Sequence, residues 1–385
     1  MNVKDICKRL IRAKSLSGEE QNVVAEIKAI MSECGFDSIE TDRYGNVIGT
    51  INGKAPGKTI LFDAHIDTVP VSDIDEWSHG PFAADEADGR IYGRGTSDMK
   101  GALSAMLYAG SELAKNRCFN GKFMVAGVVH EECFEGVAAR EISSKYKPDY
   151  VVIGEASELR LNLGQRGRAE VICETFGKCA HSSNPQAGVN AVLSMLKLCT
   201  EIDKMTLTKH EKLGTGILAL TDIISSPYPG ASVVPNLCRV TYDRRTLVGE
   251  TEESVIAPIE KIIEKLSAED KDFSAKVSIA EGKETCYTGE TISGKRFFPA
   301  WLTDENSEFA VLAAKGIENS GRKPIIGYYS FCTNGSHYAG EAGIPTIGFG
   351  PSRENQAHVR DEYIEIEQLE GAAQGYIEIA KSVLG

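Results

Sequence analysis

His65-Ile66-Asp67 follows directly on Leu61-Phe62-Asp63-Ala64. On an extended segment residues two apart face the same way, so Asp67 is placed to accept the second ring N–H of a metal-bound His65 and fix its tautomer. Asp98 comes just before a helical stretch, after Gly93-Arg94-Gly95-Thr96-Ser97, where glycines permit a tight approach. Glu131-Glu132 closes the apolar run Phe123 to Val129, and Glu155 closes the run Tyr150 to Ile153. Taken singly, a His with an Asp two positions on reads as a surface hydrogen-bonded pair, and a Glu-Glu pair as solvated helix surface. Four such sites after successive strand-like runs favour a metal centre, because unpaired carboxylates crowded together repel one another and a shared cation relieves them.

The elements that must position these groups alternate along the chain. Ser17 and Glu20 have capping-box spacing ahead of a helix with apolar Val23, Val24, Ile27, Ile30 and Met31 that Gly35 can end. Strands are expected at Thr59 to Phe62, Phe123 to Val129 and Tyr150 to Ile153, with helices near Gly101 to Leu113 and Gly136 to Tyr146 between them. That order predicts an α/β domain with a largely parallel sheet, whose ligands bind at the carboxyl ends of the strands. From Gly167 the pattern changes to strand (Ala169 to Thr175), helix (Val189 to Met205), two strands (Gly216 to Ile224, Leu237 to Asp243), helix (Glu252 to Leu266) and strand (Ser274 to Ile279). This β-α-β-β-α-β order is that of a ferredoxin-like unit. The α/β pattern then resumes, with a helix near Ser307 to Ile317, strands near Pro324 to Tyr329 and Thr346 to Phe349, and a last helix to Val383. Residues 167–282 are therefore expected as a domain inserted into a discontinuous larger one formed by 1–166 and 283–385.

Composition bounds the function. A chain of 385 residues exceeds what one core usually fills. Its net charge of −13, with no basic tract, argues against a nucleic-acid or anionic-membrane partner. No run approaches a membrane span, Met1 to Leu10 lacks the apolar core of a secretory signal, and the ten cysteines are scattered without a CxxC pair. A cytoplasmic location is the expectation. Gly93-Arg94-Gly95 lacks the third glycine of a dinucleotide fingerprint, and no Gly-x-Ser-x-Gly elbow is present. His79, His130, His210 and His337 are left as structural or solvent-exposed.

His65-Ile66-Asp67-Thr68-Val69-Pro70, Gly93 to Gly101, Glu131-Glu132, Gly154-Glu155 and a late His358 together resemble the M20 metallopeptidase family, of the acetylornithine deacetylase, succinyl-diaminopimelate desuccinylase and carboxypeptidase G2 type. The resemblance covers essentially the whole chain. Gly164-Gln165-Arg166-Gly167-Arg168, Asp243-Arg244-Arg245 and Phe331-Cys332-Thr333-Asn334-Gly335 look closest to a subgroup of these hydrolases named for a link to selenium metabolism. The resemblance implies two divalent ions per chain, zinc first, with cobalt or manganese as alternatives. Asp98 would bridge them, His65 and Glu155 completing one set of ligands and Glu132 and His358 the other. Asp67 would orient His65, and Glu131 would be the general base. The reaction implied is hydrolysis of a C–N bond in a small carboxylate-bearing substrate such as an N-acyl amino acid or short peptide. A ureido or carbamoyl amidohydrolase in nitrogen scavenging is the alternative; an inactive binding protein on the same scaffold is a third reading, which the intact set of base and ligands opposes.

In the inserted domain Cys179-Ala180-His181-Ser182 matches the segment whose His stabilises the developing oxyanion, commonly in the partner subunit's site. The bland reading is that His181 caps the helix after Pro185. Arg245, in the family's Asp-x-Arg pattern, would bind the substrate carboxylate, a surface ion pair being its bland reading, with Arg244 beside it as a rival. Asn334-Gly335-Ser336 would hold the same carboxylate by backbone N–H groups. Two departures fall in the substrate pocket: Ser232-Val233-Val234-Pro235 replaces Asn-Val-Ile-Pro, and Thr333 to His337 replaces Gly-Gly-Thr-Asp. The inserted domain is expected to form a homodimer and to close as a lid about hinges near Gly164 to Gly167 and Gly282 to Gly294.

Overall fold

Four apolar runs form the parallel centre of a nine-stranded sheet, in the spatial order Lys122–Val128, Thr59–His65, Tyr150–Ile153, Thr346–Gly348. Nearly every side chain in them is buried, which is why they read as unbroken hydrophobic stretches. The computed structural model describes residues 1–385. Beyond the centre the sheet turns antiparallel: Ser38–Thr41 and Val47–Asn52 extend one side, Leu161–Gln165 and Trp301–Leu302 the other, with Ile326–Tyr329 parallel to Leu161–Gln165. The sheet is thus mixed, with a parallel centre that is buried on both faces. The helices Gly101–Asn116 and Glu308–Asn319 both pack on Ile366–Leu384, whose apolar face includes Leu369, Tyr376 and Ile379. No helix is long and apolar enough to cross a membrane.

One local expectation fails for a reason that bears on the site. The helix Gln21–Glu33 is not capped by Ser17. The Ser17 hydroxyl donates instead to the Asp67 carboxylate at 2.7 Å, while Glu20 accepts from the Gly18 N–H at 3.0 Å. Gly35, in the left-handed region at φ +78°, does follow the helix end.

The chain divides into two compact units. The first comprises Met1–Gln165, Lys283–Gly294 and Trp301–Gly385; the second comprises Arg166–Gly282 and Lys295–Ala300. The second unit runs strand (Gly167–Phe176), helix (Ala191–Ile202), strands (Ile217–Ser226, Leu237–Thr246), helix (Glu252–Glu269) and strand (Ser274–Ile279). All neighbours are antiparallel, with Ile217–Ser226 at one edge and Ser274–Ile279 at the other, which is the ferredoxin-like βαββαβ arrangement. Alternate residues Ala169, Val171 and Cys173 of the central strand face the two helices, packing with Met195, Leu198 and Ile259. Lys295–Ala300 belongs here because Phe297–Phe298 pairs with Arg168 and Ala169.

Candidate metal centre

Strand register assembles the site. His65 lies opposite Val128, and Asp63 opposite Ile153, so the residues just past these strand ends converge at one edge of the first unit. His65 is the last residue of its strand; Glu131-Glu132 and Glu155 lie just beyond theirs. Asp98 sits in the Thr96–Lys100 turn that opens the Gly101–Asn116 helix, and His358, at φ +61°, follows the short turn Glu354–Gln356.

The Asp98 carboxylate stands between two imidazoles. His65 Nε2 is 2.8 Å from Oδ1, and His358 Nε2 is 3.1 Å from Oδ2. Each histidine has a glutamate beside it: Glu155 Oε1 is 3.6 Å from His65 Nε2, and Glu132 Oε2 is 3.0 Å from His358 Nε2. Two overlapping trios, His65–Asp98–Glu132 and His65–Glu131–Glu155, each have their ligand atoms within 4.8 Å of one another. His65, Glu131 and Glu155 are buried, whereas half of the His358 side chain is open to solvent.

This donor set fits divalent cations. Asp98, Glu132 and Glu155 have the two histidines as their ion-pair partners and no lysine or arginine, and Glu131 lies within 4.8 Å of His65 and Glu155. Burial, reinforced by Asp98 and Glu132, pushes the Glu155 carboxyl up to about 8. Burial with Glu155, Glu135 and Glu132 nearby raises Glu131 well above the carboxylate range, and burial beside Asp98 raises Glu132. Burial would also raise Asp98, but hydrogen bonds to His358 and His65 overcome it and hold Asp98 below its ordinary value. Its bonds to Asp98 and Glu132 raise His358 to about 10. Carboxylates so buried and crowded favour a shared cation, and imidazole with carboxylate is the ligand chemistry of zinc and its neighbours.

Asp67 does more than its sequence position suggests. The His65 Nδ1–H bond goes to the Asp67 main-chain carbonyl at 2.9 Å, with the carboxylate Oδ1 at 3.5 Å. The fully buried carboxylate accepts instead from the N–H groups of Glu131 (3.1 Å) and Glu132 (3.2 Å), and from Ser17. It therefore ties the strand carrying His65 to the turn carrying both glutamates.

The residues expected in the substrate pocket have local partners of their own. Asn334 is buried, its Nδ2 donating to Asp63 (2.9 Å) and its Oδ1 accepting from Gly136 N–H (2.8 Å). Gly335 N–H donates to Thr333 Oγ1 and Ser336 N–H to the Thr333 carbonyl. In this conformation these N–H groups close the loop on itself and are not offered to a carboxylate. Arg245 and His181 belong to the second unit. Arg245 pairs with Asp243, its Nε 2.7 Å from Oδ1, and Asp243 is shared with Arg168. Arg244, its rival, is buried against Glu250 at 2.6 Å. His181 is exposed and caps no helix: Nδ1 meets Ser183 Oγ at 2.7 Å, and the following helix is capped by Asn190. The segment Ser232 to Val234 runs alongside it, His181 bridging to Val233. His337, left as structural, links Ser143 (2.7 Å) to Glu341 (2.8 Å), which Arg140 also grips.

Comparison with known proteins gives the family. Residues 61–382 match the model of peptidase family M20/M25/M40, and the chain belongs to that family. The uncharacterized protein YgeY of Escherichia coli K12 is 34% identical over 361 residues, 92% of this chain and 87% of its own. Succinyl-diaminopimelate desuccinylase of Cereibacter sphaeroides ATCC 17029 is 26% identical over 387 residues, covering 97% and 96% of the two chains. Among solved structures, the aminopeptidase PepT of Bacillus cereus superposes with a TM-score of 0.77 at 20% identity, over 100% of this chain and 98% of its own. The class of the protein is accordingly that of a metal-dependent hydrolase of amide or peptide bonds.

Proposed function

We propose that this chain is a two-zinc amidohydrolase acting on a small carboxylate-bearing substrate, an N-acyl amino acid or short peptide. The observation that carries the proposal is Asp98, with one oxygen toward His65 and the other toward His358, each histidine flanked by its own glutamate. His65, Glu155 and Asp98 would hold one ion, and His358, Glu132 and Asp98 the other. Two bound ions supply Lewis-acid polarisation of the scissile carbonyl and a water acidic enough to ionise near neutrality.

Glu131 is the carboxylate left over. It lies within the same reach of His65 and Glu155, which supports a role in which it would take the proton of the attacking water and deliver it to the departing nitrogen. The N–H bonds of Glu131 and Glu132 to Asp67 fix the turn that carries both, which would allow one glutamate to anchor and the other to shuttle. His181 keeps Nε2 for a developing oxyanion, since its bonds to Ser183 use Nδ1. Arg245 is the candidate for the substrate carboxylate, which would compete with Asp243 for the guanidinium.

We assign the second unit a further part, as the lid and dimer surface. Its edge strand Ile217–Ser226 has no neighbour on one side and exposes Ile217, Leu220, Ile223 and Ile224, and the adjacent helix exposes Leu193 and Leu196. An apolar sheet edge of this kind suits pairing with a second copy across a two-fold axis. The reaction is tested by incubating metal-loaded protein with N-acyl amino acids, dipeptides and ureido acids and reading products by mass spectrometry. Cleavage confined to ureido acids would replace the deacylase reading, and no cleavage at all would remove it.

A further inference from the structure

Four residues beyond His358 lies a carboxylate that touches no proposed ligand atom. Glu362 is fully buried, and the loop that carries Asp98 occupies both its oxygens. Oε1 accepts from Ser97 N–H (2.8 Å) and Asp98 N–H (3.1 Å). Oε2 accepts from Gly95 N–H (3.0 Å) and from the Arg94 guanidinium (2.7 Å). The main chain doubles the connection: Gly93 N–H donates to the Glu362 carbonyl at 2.8 Å, and the Ser97 hydroxyl to the Tyr363 carbonyl at 2.6 Å. Arg94 also donates to the Val359 carbonyl, next to His358. Two segments 264 positions apart are thereby clasped, one presenting Asp98 and the other His358.

We propose that Glu362, neutralised by Arg94, is a positioning residue that holds Asp98 against His358 and so sets the affinity of the ion those two share. The inference rests on the two-ion reading above. The pairing with Arg94 matters because a further bare carboxylate would add to a site already rich in negative charge. As an ion pair it contributes geometry: three N–H groups of one loop are fixed by a single planar acceptor. His65 and Glu155 have their own supports on the sheet and do not depend on the clasp. The second ion should therefore suffer more than the first when the clasp is broken.

The test is a zinc titration of metal-depleted protein against a chromophoric chelator, with thermal unfolding of the metal-free form alongside. In Glu362→Gln, nearly isosteric but presenting an N–H₂ to backbone donors, affinity for the second ion should fall roughly 10- to 100-fold while the first stays near its wild-type value. Arg94→Lys, which keeps the charge and loses the fork, should move the second constant in the same direction by less, and it carries the test if the Gln variant does not fold. Unchanged constants in both variants overturn the clasp alone, as does a parallel fall of both constants together with metal-free stability, which is what a merely structural role would give. A wild-type protein that fails to bind two ions overturns the two-ion reading, and the clasp with it.

Discussion

Replacing Asp67 by Asn probes how the two halves of the centre are joined. The side chain is fully buried and serves Ser17, Glu131 N–H and Glu132 N–H, with His65 Nδ1 3.5 Å from Oδ1. Asn has the same shape, so no cavity opens, but its N–H₂ must replace one oxygen. At Oδ1 it would face Glu131 N–H and the His65 ring; at Oδ2 it would face Glu132 N–H, while the Ser17 hydroxyl can turn to accept. The second placement costs less and leaves Glu132 N–H without its acceptor. Losing one hydrogen bond to a charged group costs about 1.5–3 kcal/mol. Displacing the glutamate turn should also lower kcat/KM by roughly 10- to 100-fold through weakened metal binding. Burial would raise the Asp67 pKa, but the His65 imidazole beside it and the bond from Ser17 hold it below the ordinary value. Its stabilisation is thus present above the unfolded pKa of about 3.9 and lost as the pH falls further, so variant and wild type should differ at neutrality and converge in acid. Urea unfolding of the metal-free proteins across pH reads this directly. A neutral-pH difference within about 0.5 kcal/mol, together with unchanged zinc affinity, would show that Asp67 does not hold the Glu131-Glu132 turn.

Other consequences can be checked separately. Glu131→Gln should keep both ions yet lose about 10²- to 10⁴-fold in kcat, since the amide cannot carry the proton; near wild-type turnover refutes its role as base. Glu132→Gln should weaken metal binding as well, by metal analysis after dialysis. Because Glu131, Glu132, Glu155 and His358 all have raised pKa values in the folded chain, the metal-free protein should lose stability as pH rises from about 5 to about 8.5, and divalent metal should flatten that slope; greater metal-free stability at the upper end would contradict it. Mixing inactive His181→Ala with inactive Glu131→Gln should restore part of the activity if His181 serves the neighbouring chain, whereas demonstrated subunit exchange without recovery confines His181 to its own chain.

The legible part of the chain is that in which local pattern and tertiary role coincide. Thr59–His65, Lys122–Val128 and Tyr150–Ile153 read as strands because burial on both faces demands continuous apolar residues, and their carboxyl ends therefore named His65, Glu131, Glu132 and Glu155. The βαββαβ unit was equally plain, since its central strand alternates buried and half-buried residues. The short antiparallel strand Ser38–Thr41 carries no comparable run and went unread. Long-range bonds were also invisible: Ser17 looks like a helix cap until Asp67, 50 positions away, takes its hydroxyl. Glu362 has no local signature at all, because its four donors lie on a loop near residue 95. Asn334 pointed to a substrate loop by its setting, whereas its side chain is spent on Asp63 and Gly136.

The most direct test of the two-ion site is a crystal of zinc-loaded protein measured for anomalous scattering at the zinc edge. Two peaks per chain, about 3.5–4 Å apart with Asp98 between them, are the expected result. His65 and Glu155 should flank one peak, and His358 and Glu132 the other. A fully loaded protein showing no peak among these residues, or a single ion that leaves His358 and Glu132 without metal, would contradict the account.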